Sequence, residues 1–217
     1  MGATIEDAYY APHELAVDVQ AFLADTERLA KEFPNVDILV NNVGTVMGKE
    51  FSQDTDQEWI QIYETNVLSG VRLARAYLPR MKQQNWGRII FISSESAIHI
   101  PVESIHYGMT KAAQIAVARG LAESVAKTGI TVNSILPGPT RDPQDQRMVE
   151  MAKRMGKNSV EEAEAEFINS RRPTSLIKRF ARTEEVASLI VYVASPLSSA
   201  TTGAALRVDG GVVKSAF

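Results

Sequence analysis

Apolar positions along the chain alternate between strand-like runs and helix-like stripes. Residues 14–19 (Glu-Leu-Ala-Val-Asp-Val) have the short apolar character of a strand. Residues 21–33 then place Phe22, Leu29, Ala30 and Phe33 on one helical face, and Pro34 closes that helix. Residues 36–41 (Val-Asp-Ile-Leu-Val-Asn) form a compact apolar strand, so the three segments read as a βαβ unit with parallel strands. The alternation continues. Residues 56–83 carry Trp59, Ile62, Tyr63, Gly70, Leu73, Ala74 and Tyr77 at helical spacing. Residues 88–93 (Arg-Ile-Ile-Phe-Ile-Ser) are a strand without polar alternation, as expected when both faces are covered. A helix over 104–126, a strand over 130–136, a helix over 183–194 and a strand over 205–208 follow. The helix over 183–194 has Val186, Leu189, Ile190 and Val193 as its buried stripe, Thr183 as the expected N-cap, and Glu184 and Glu185 at the positive end of its dipole. Strands alternating with helices predict a single α/β domain over residues 1–217 with a mostly parallel sheet.

Residues 140–175 break this rhythm. They are polar, mix basic and acidic residues, and predict one or two loose helices. A long insertion after the carboxyl end of a strand is where a substrate lid belongs. Met148, Met151 and Met155 lie on one helical face of it, either as an adaptable apolar surface toward a substrate or as the lid's own core.

Composition narrows the chemistry. Lys and Arg total 23 against 26 Asp and Glu, a net charge of −3, which disfavours nucleic-acid binding by phosphate neutralisation. With no cysteine, disulfides, thiolate metal sites and cysteine nucleophiles are excluded. His13, His99 and His106 show no ligand spacing, so no metal site is expected. No apolar run approaches the ~20 residues that span a bilayer, and the opening residues lack a secretory pattern, so no membrane association and a cytoplasmic location are the default expectations.

The candidate chemistry begins with Tyr107-Gly-Met-Thr-Lys111. Residues four apart share a helix face, so the phenol and the ammonium are neighbours, and a nearby positive charge is expected to lower the tyrosine pKa toward acid–base work. Taken alone, the pair reads first as an ordinary surface pair. Ser94, 13 positions before Tyr107, stands at the carboxyl end of the strand over 88–93, the edge where parallel sheets bind ligands. Asn66 falls on the apolar stripe of its helix, and a buried amide needs hydrogen bonds. It ties helix to loop backbone or orders a water chain toward the lysine.

With these residues in order, the sequence resembles the short-chain dehydrogenase/reductase family over residues 14–213. The resemblance is carried by Asn41-Asn42-Val43-Gly44, Asn66, Ser94, Tyr107 with Lys111, Pro137-Gly138-Pro139-Thr140 and Asp209-Gly210-Gly211. It implies a Rossmann-like doubly wound parallel sheet, NAD or NADP as cofactor, and a small-molecule carbonyl or alcohol substrate. Tyr107 would exchange the proton with the substrate oxygen, Ser94 would hold that oxygen, Lys111 would tune the phenol and bind the nicotinamide ribose, and Asn66 would keep the proton relay in place. Asp18, Val19, Asn42 and Gly44 would meet the adenosine side. Pro137, Gly138 and Thr140 would meet the nicotinamide end or a phosphate. Ser96, Ile98, Ile100, His106 and Met148 would flank a hydrophobic substrate.

Two departures from the family pattern stand out. The family begins with a strand and a Gly-rich turn, Thr-Gly-x-x-x-Gly-x-Gly, that cradles the pyrophosphate. Here the first glycine after Gly2 is Gly44, and about 45 residues of the family pattern have no counterpart. The chain therefore reads as N-terminally truncated relative to the family, with weak dinucleotide binding expected. Val43 stands where alanine is usual. The strand over 36–41 would also become a sheet edge, a hazard relieved by residues 14–19 moving in beside it, by another chain, or by a preceding segment. A non-catalytic scaffold derived from the family is the alternative reading. Ala112, Ala116 and Gly120 form a small-residue ridge at i, i+4, i+8, which serves either packing on the chain's own sheet or, as the resemblance implies together with the helix over 56–83, the face of a homodimer or homotetramer.

Overall fold

In the computed structural model, residues 19–46, 48, 50–141 and 146–216 are described. The central sheet has four parallel strands in the order β1 (Ile38–Asn41), β2 (Gly87–Ile92), β3 (Ile130–Pro137) and β6 (Ala205–Val208). Helices cover both faces. Side chains of β2 alternate between them: Ile89 and Phe91 join Leu39, Tyr77, Met81, Ala118 and Val132 in one core, and Ile90 joins Ile135 and Val193 in the other. The first core lies under α3 (Ser69–Gln84) and α4 (Ile105–Ser124), and the second under α7 (Thr183–Ala194). A sheet buried on both sides explains why its strands are unbroken apolar runs.

Element by element, most of the expected alternation is present, with three corrections. Val19 opens a helix, α1 (Val19–Glu32), instead of ending a strand; residues 14–18 of that expected strand lie outside the described residues. The single helix expected over 56–83 is interrupted. α2 (Asp56–Tyr63), capped by Thr55 with Glu58 in a capping box, passes through a π-helical turn at Glu64–Leu68 before α3 begins. Thr183 is the first residue of α7, not its cap. Arg182 holds the cap position, and its N–H donates to the Glu185 carboxylate at 2.8 Å.

Among the described residues β1 is an edge strand. Ile38 and Val40 are 44% and 40% exposed on the face where α7 covers the neighbouring strand, while Leu39 is buried under the other layer. The insertion folds as two helices, α5 (Gln146–Arg154) and α6 (Val160–Arg171), framed by a two-residue pairing of β4 (Thr140–Arg141) with β5 (Ala181–Arg182). Its own small core holds Met148, Ile168 and Phe180. Among the described residues no helix is long and apolar enough to cross a membrane.

Candidate active site

Each functional side chain is delivered by the carboxyl end of a strand or by a helix that starts there. β2 ends at Ile92, and the backbone turns at Ser94, whose hydroxyl caps a short 3-10 turn by accepting the Ser96 N–H at 3.1 Å. α4 runs back from that rim with Tyr107 and Lys111 one turn apart. The Ser94 side chain stands near enough to the Tyr107 phenol to act on it. Lys111, 5% exposed, donates from Nζ to the Ile92 carbonyl at 2.9 Å. Its own carbonyl accepts the Ser93 hydroxyl at 2.7 Å, which sews α4 to the end of β2.

Asn66 sits in the π turn and is 1% exposed. Its Nδ2 donates to the Thr45 carbonyl at 2.9 Å and to Thr110 Oγ1 at 3.0 Å, and its Oδ1 accepts the Thr45 N–H at 2.8 Å. Thr110 Oγ1 in turn donates to the Tyr107 carbonyl at 2.7 Å, and Gln114 Nε2 donates to the Asn66 carbonyl at 2.6 Å. The amide thus ties the π turn to the loop after β1 and to α4, the first of the two expectations for it. A π turn swings one residue out of helical register, and here that residue carries the amide which braces both neighbours.

The electrostatics correct one expectation. The Tyr107 phenol is pushed above its ordinary value of 10.0, first by burial. Ser94 pulls it down, Glu95 pushes it up and Arg172 pulls it down. Lys111, whose Nζ lies 5.5 Å from the centre of the tyrosine ring and donates to a strand carbonyl, is not among the groups that set this shift. Lys111 itself is lowered to about 8 by burial.

The remaining candidates separate into groups. Asn42 and Gly44 are exposed in the loop after β1, and a Cβ built on Gly44 would lie 3.4 Å from Lys111 Nζ and 3.5 Å from Asn66 Oδ1. Those are ordinary contacts, so the protein's own packing leaves room for a side chain at Gly44. Pro137, Gly138 and Thr140 are partly buried where β3 ends. A Cβ on Gly138 would meet the Asp209 carbonyl oxygen at 2.6 Å, so this glycine is required by the close approach of two backbones. Thr140 Oγ1 donates to the Gly138 carbonyl at 2.9 Å. Ile98 and Ile100 are exposed at the rim.

Ser96 is 3% exposed, with its hydroxyl on Glu95 Oε1 at 3.2 Å, so it braces the loop and does not line an open pocket. His106 is fully buried, against Trp59 with ring centres 5.8 Å apart and with Asp54 at 3.4 Å, so it does not flank a substrate. Met148 packs in the lid's core, away from any substrate face. The side chains of Asp18, Val19 and Met151 lie outside the described residues. The sequence reading missed Glu95 and Arg172, whose side chains form a buried ion pair at 2.7 Å. A carboxylate directly after Ser94, at the end of an apolar strand, was the available signal.

A parallel sheet that gathers Ser94, Tyr107, Lys111 and the braced amide of Asn66 at one carboxyl rim is an arrangement suited to an α/β oxidoreductase. The chain belongs to the short-chain dehydrogenase/reductase family: the family model described as enoyl-(acyl carrier protein) reductase matches residues 14–213. It is 42% identical over 218 residues to the uncharacterized oxidoreductase YvaG of Bacillus subtilis (strain 168), covering 99% of this chain and 83% of that protein. It is 32% identical over 200 residues to the D-beta-hydroxybutyrate dehydrogenase of Rhizobium meliloti (strain 1021), covering 92% and 74%. Among solved structures, L-sorbose reductase from Gluconobacter frateurii complexed with NADPH and L-sorbose superposes with a TM-score of 0.80 at 32% identity, covering 92% of this chain and 75% of that one.

Proposed function

We propose that the chain catalyses NAD(P)-dependent reduction of a carbonyl or oxidation of a secondary alcohol. The observation that carries this reading is the convergence of Ser94 and Tyr107 at the sheet's carboxyl rim, with Lys111 buried one helical turn away and donating to the Ile92 carbonyl. Tyr107 donates a proton to the substrate oxygen in reduction and accepts it in oxidation. Ser94 holds that oxygen beside the phenol. Lys111 presents its remaining N–H bonds toward the cofactor ribose, and Asn66 holds the loop after β1 and the start of α4 in place.

The residues present suit a bound dinucleotide. Gly44 leaves space above Lys111 and Asn66 that the protein does not itself need, as a binding cradle would. Asn42 and Gly44, Lys111, and Pro137 with Gly138 and Thr140 would hold the cofactor, with Asp18 and Val19 toward its adenine. When bound, the nicotinamide supplies or takes the hydride. Similarity to a reductase complexed with NADPH supports this assignment. The exposed apolar residues Ile98, Ile100 and Val102 at the rim favour a hydrophobic ketone or secondary alcohol.

The outward face of α3 and α4 supports a homodimeric or tetrameric assembly. Ala116 and Gly120 are exposed there, while Lys111, Gln114, Ala118 and Ala122 occupy the buried side of α4. Val71, Leu78, Pro79, Val117 and Leu121 line a shallow groove beside this ridge.

The test is oxidation of NADPH and NADH in the presence of a panel of aliphatic and aromatic ketones, with Tyr107→Phe as control. Turnover that falls by about a hundredfold or more in the control is expected. Absence of turnover with every ketone and both cofactors would favour the scaffold reading.

A further inference from the structure

The lid is fastened to the candidate active site at one buried point. α6 ends at Arg171, and the next residue, Arg172, donates its N–H to the Ile168 carbonyl at 3.0 Å while its side chain turns inward. Arg172 Nε meets Glu95 Oε1 at 2.7 Å, with the two side chains only 8% and 3% exposed. Ser96 Oγ donates to the same oxygen at 3.2 Å, and Arg172 Nη1 donates to the Arg171 carbonyl at 2.9 Å. Beyond it, Thr174 Oγ1 donates to the Val212 carbonyl, and the Leu176 N–H donates to the Gly210 carbonyl at 2.8 Å. The lid's carboxyl end is therefore held by the loop around Gly210 and Val212, by Glu95, and at the surface by Glu103, which pairs with Arg171 at 2.9 Å.

A buried ion pair is a poor means of stabilising a fold, because desolvation offsets most of its attraction and an apolar pair of similar size often does as well. Its placement distinguishes this one. Glu95 directly follows Ser94, and both charges act on Tyr107.

We propose that Glu95 and Arg172 are a positioning pair that couples the end of the lid to the Ser94 loop and holds the Ser94 side chain beside the Tyr107 phenol. Neither residue is a proton donor; each acts through Ser94 and Tyr107, so the inference rests on the proposed roles of those two. The groups that face Tyr107 are Ser94 and Glu95 from the loop after β2, Arg172 from the end of α6, and Lys111 from its own helix. His106 is turned away toward Asp54 and Trp59. The paired charges oppose one another at the phenol, so deleting one exposes the other.

The experiment compares Arg172→Met, Glu95→Gln, the neutral double variant and Arg172→Lys. Two readouts are used: ultraviolet titration of the Tyr107 phenolate, taken as each protein minus its Tyr107→Phe counterpart, and kcat and KM against pH. Arg172→Met should move the titration to higher pH and Glu95→Gln to lower pH, by about half a unit or more each. The double variant should titrate near the parent, with KM raised by the loosened lid, and Arg172→Lys should restore part of the shift. Equal titrations in all variants, or single variants moving in the same direction, would overturn the proposal. Should Arg172→Met fail to fold, Glu95→Gln and the double variant still decide it. A parent protein without turnover would defeat the functional reading, while the phenolate titration would still test the pair.

Discussion

Lys111 meets Tyr107 from the ring side: its Nζ lies 5.5 Å from the ring centre and donates to the Ile92 carbonyl at 2.9 Å. The ammonium is therefore held by the strand end that also leads into Ser94. Burial governs both groups, raising the phenol and lowering the amine.

The sign of the tyrosine shift sets the direction of the reaction's pH dependence. A phenol held above 10.0 is protonated at neutral pH and ready to donate. Carbonyl reduction is expected to hold its rate through neutral pH and to decline only in strong alkali. Alcohol oxidation, which needs the phenolate, is expected to climb with pH. Initial rates in both directions across a pH series check this, and an oxidation rate that falls as pH rises would contradict it.

Lys111 should cost stability at neutral pH. Its folded value of about 8 lies below the ordinary 10.5, so between those values the unfolded chain binds more protons than the folded one and stability rises with pH. Below about 8 the penalty is fully present, on the order of 3 kcal/mol. Lys111→Met removes it. Urea unfolding should show the variant's advantage over the parent shrinking by about that amount as pH rises from 8 to 10.5, while turnover is lost. A gap independent of pH would show that the amine is not desolvated.

Two glycines should separate fold from ligand. In Gly138→Ala the new Cβ would lie 2.6 Å from the Asp209 carbonyl oxygen, so the ends of β3 and β6 must part, at about 1–3 kcal/mol. In Gly44→Ala the Cβ makes ordinary contacts, so stability should stay within about 0.5 kcal/mol while cofactor affinity falls. Urea unfolding and calorimetric titration with NADPH measure the two effects. A stable Gly138→Ala would remove the close-approach explanation.

The exposed ridge on α4 should be an association surface. Ala116→Arg places a long charged side chain on it, with the buried side of the helix untouched. Sedimentation velocity is expected to show the parent as a dimer or tetramer and the variant as a smaller species of unchanged secondary structure. A monomeric parent would refute the assignment.

Val19 and the segment around Asn66 show where sequence reasoning lost its grip. A short apolar run cannot be told from a helix start by its pattern, and Val19 opens α1. The π turn at Glu64–Leu68 shifts the helical phase by a single residue, too little to disturb a hydrophobic stripe over 56–83. His106, expected beside a substrate, is buried against Trp59 and Asp54, whereas Met148 takes the second of its two expected roles, in the lid's own core.

The residue pattern by itself determined the alternating strands and helices, the pairing of Tyr107 with Lys111 and the strand-end position of Ser94. It could do so because parallel strands buried on both faces are continuous apolar runs and because residues four apart share a helix face. Only the tertiary structure decided the sign of the Tyr107 shift, the bracing role of Asn66 and the pairing of Glu95 with Arg172 across 77 residues. Those depend on desolvation and on contacts between distant segments, and both arise only when the chain has closed around them.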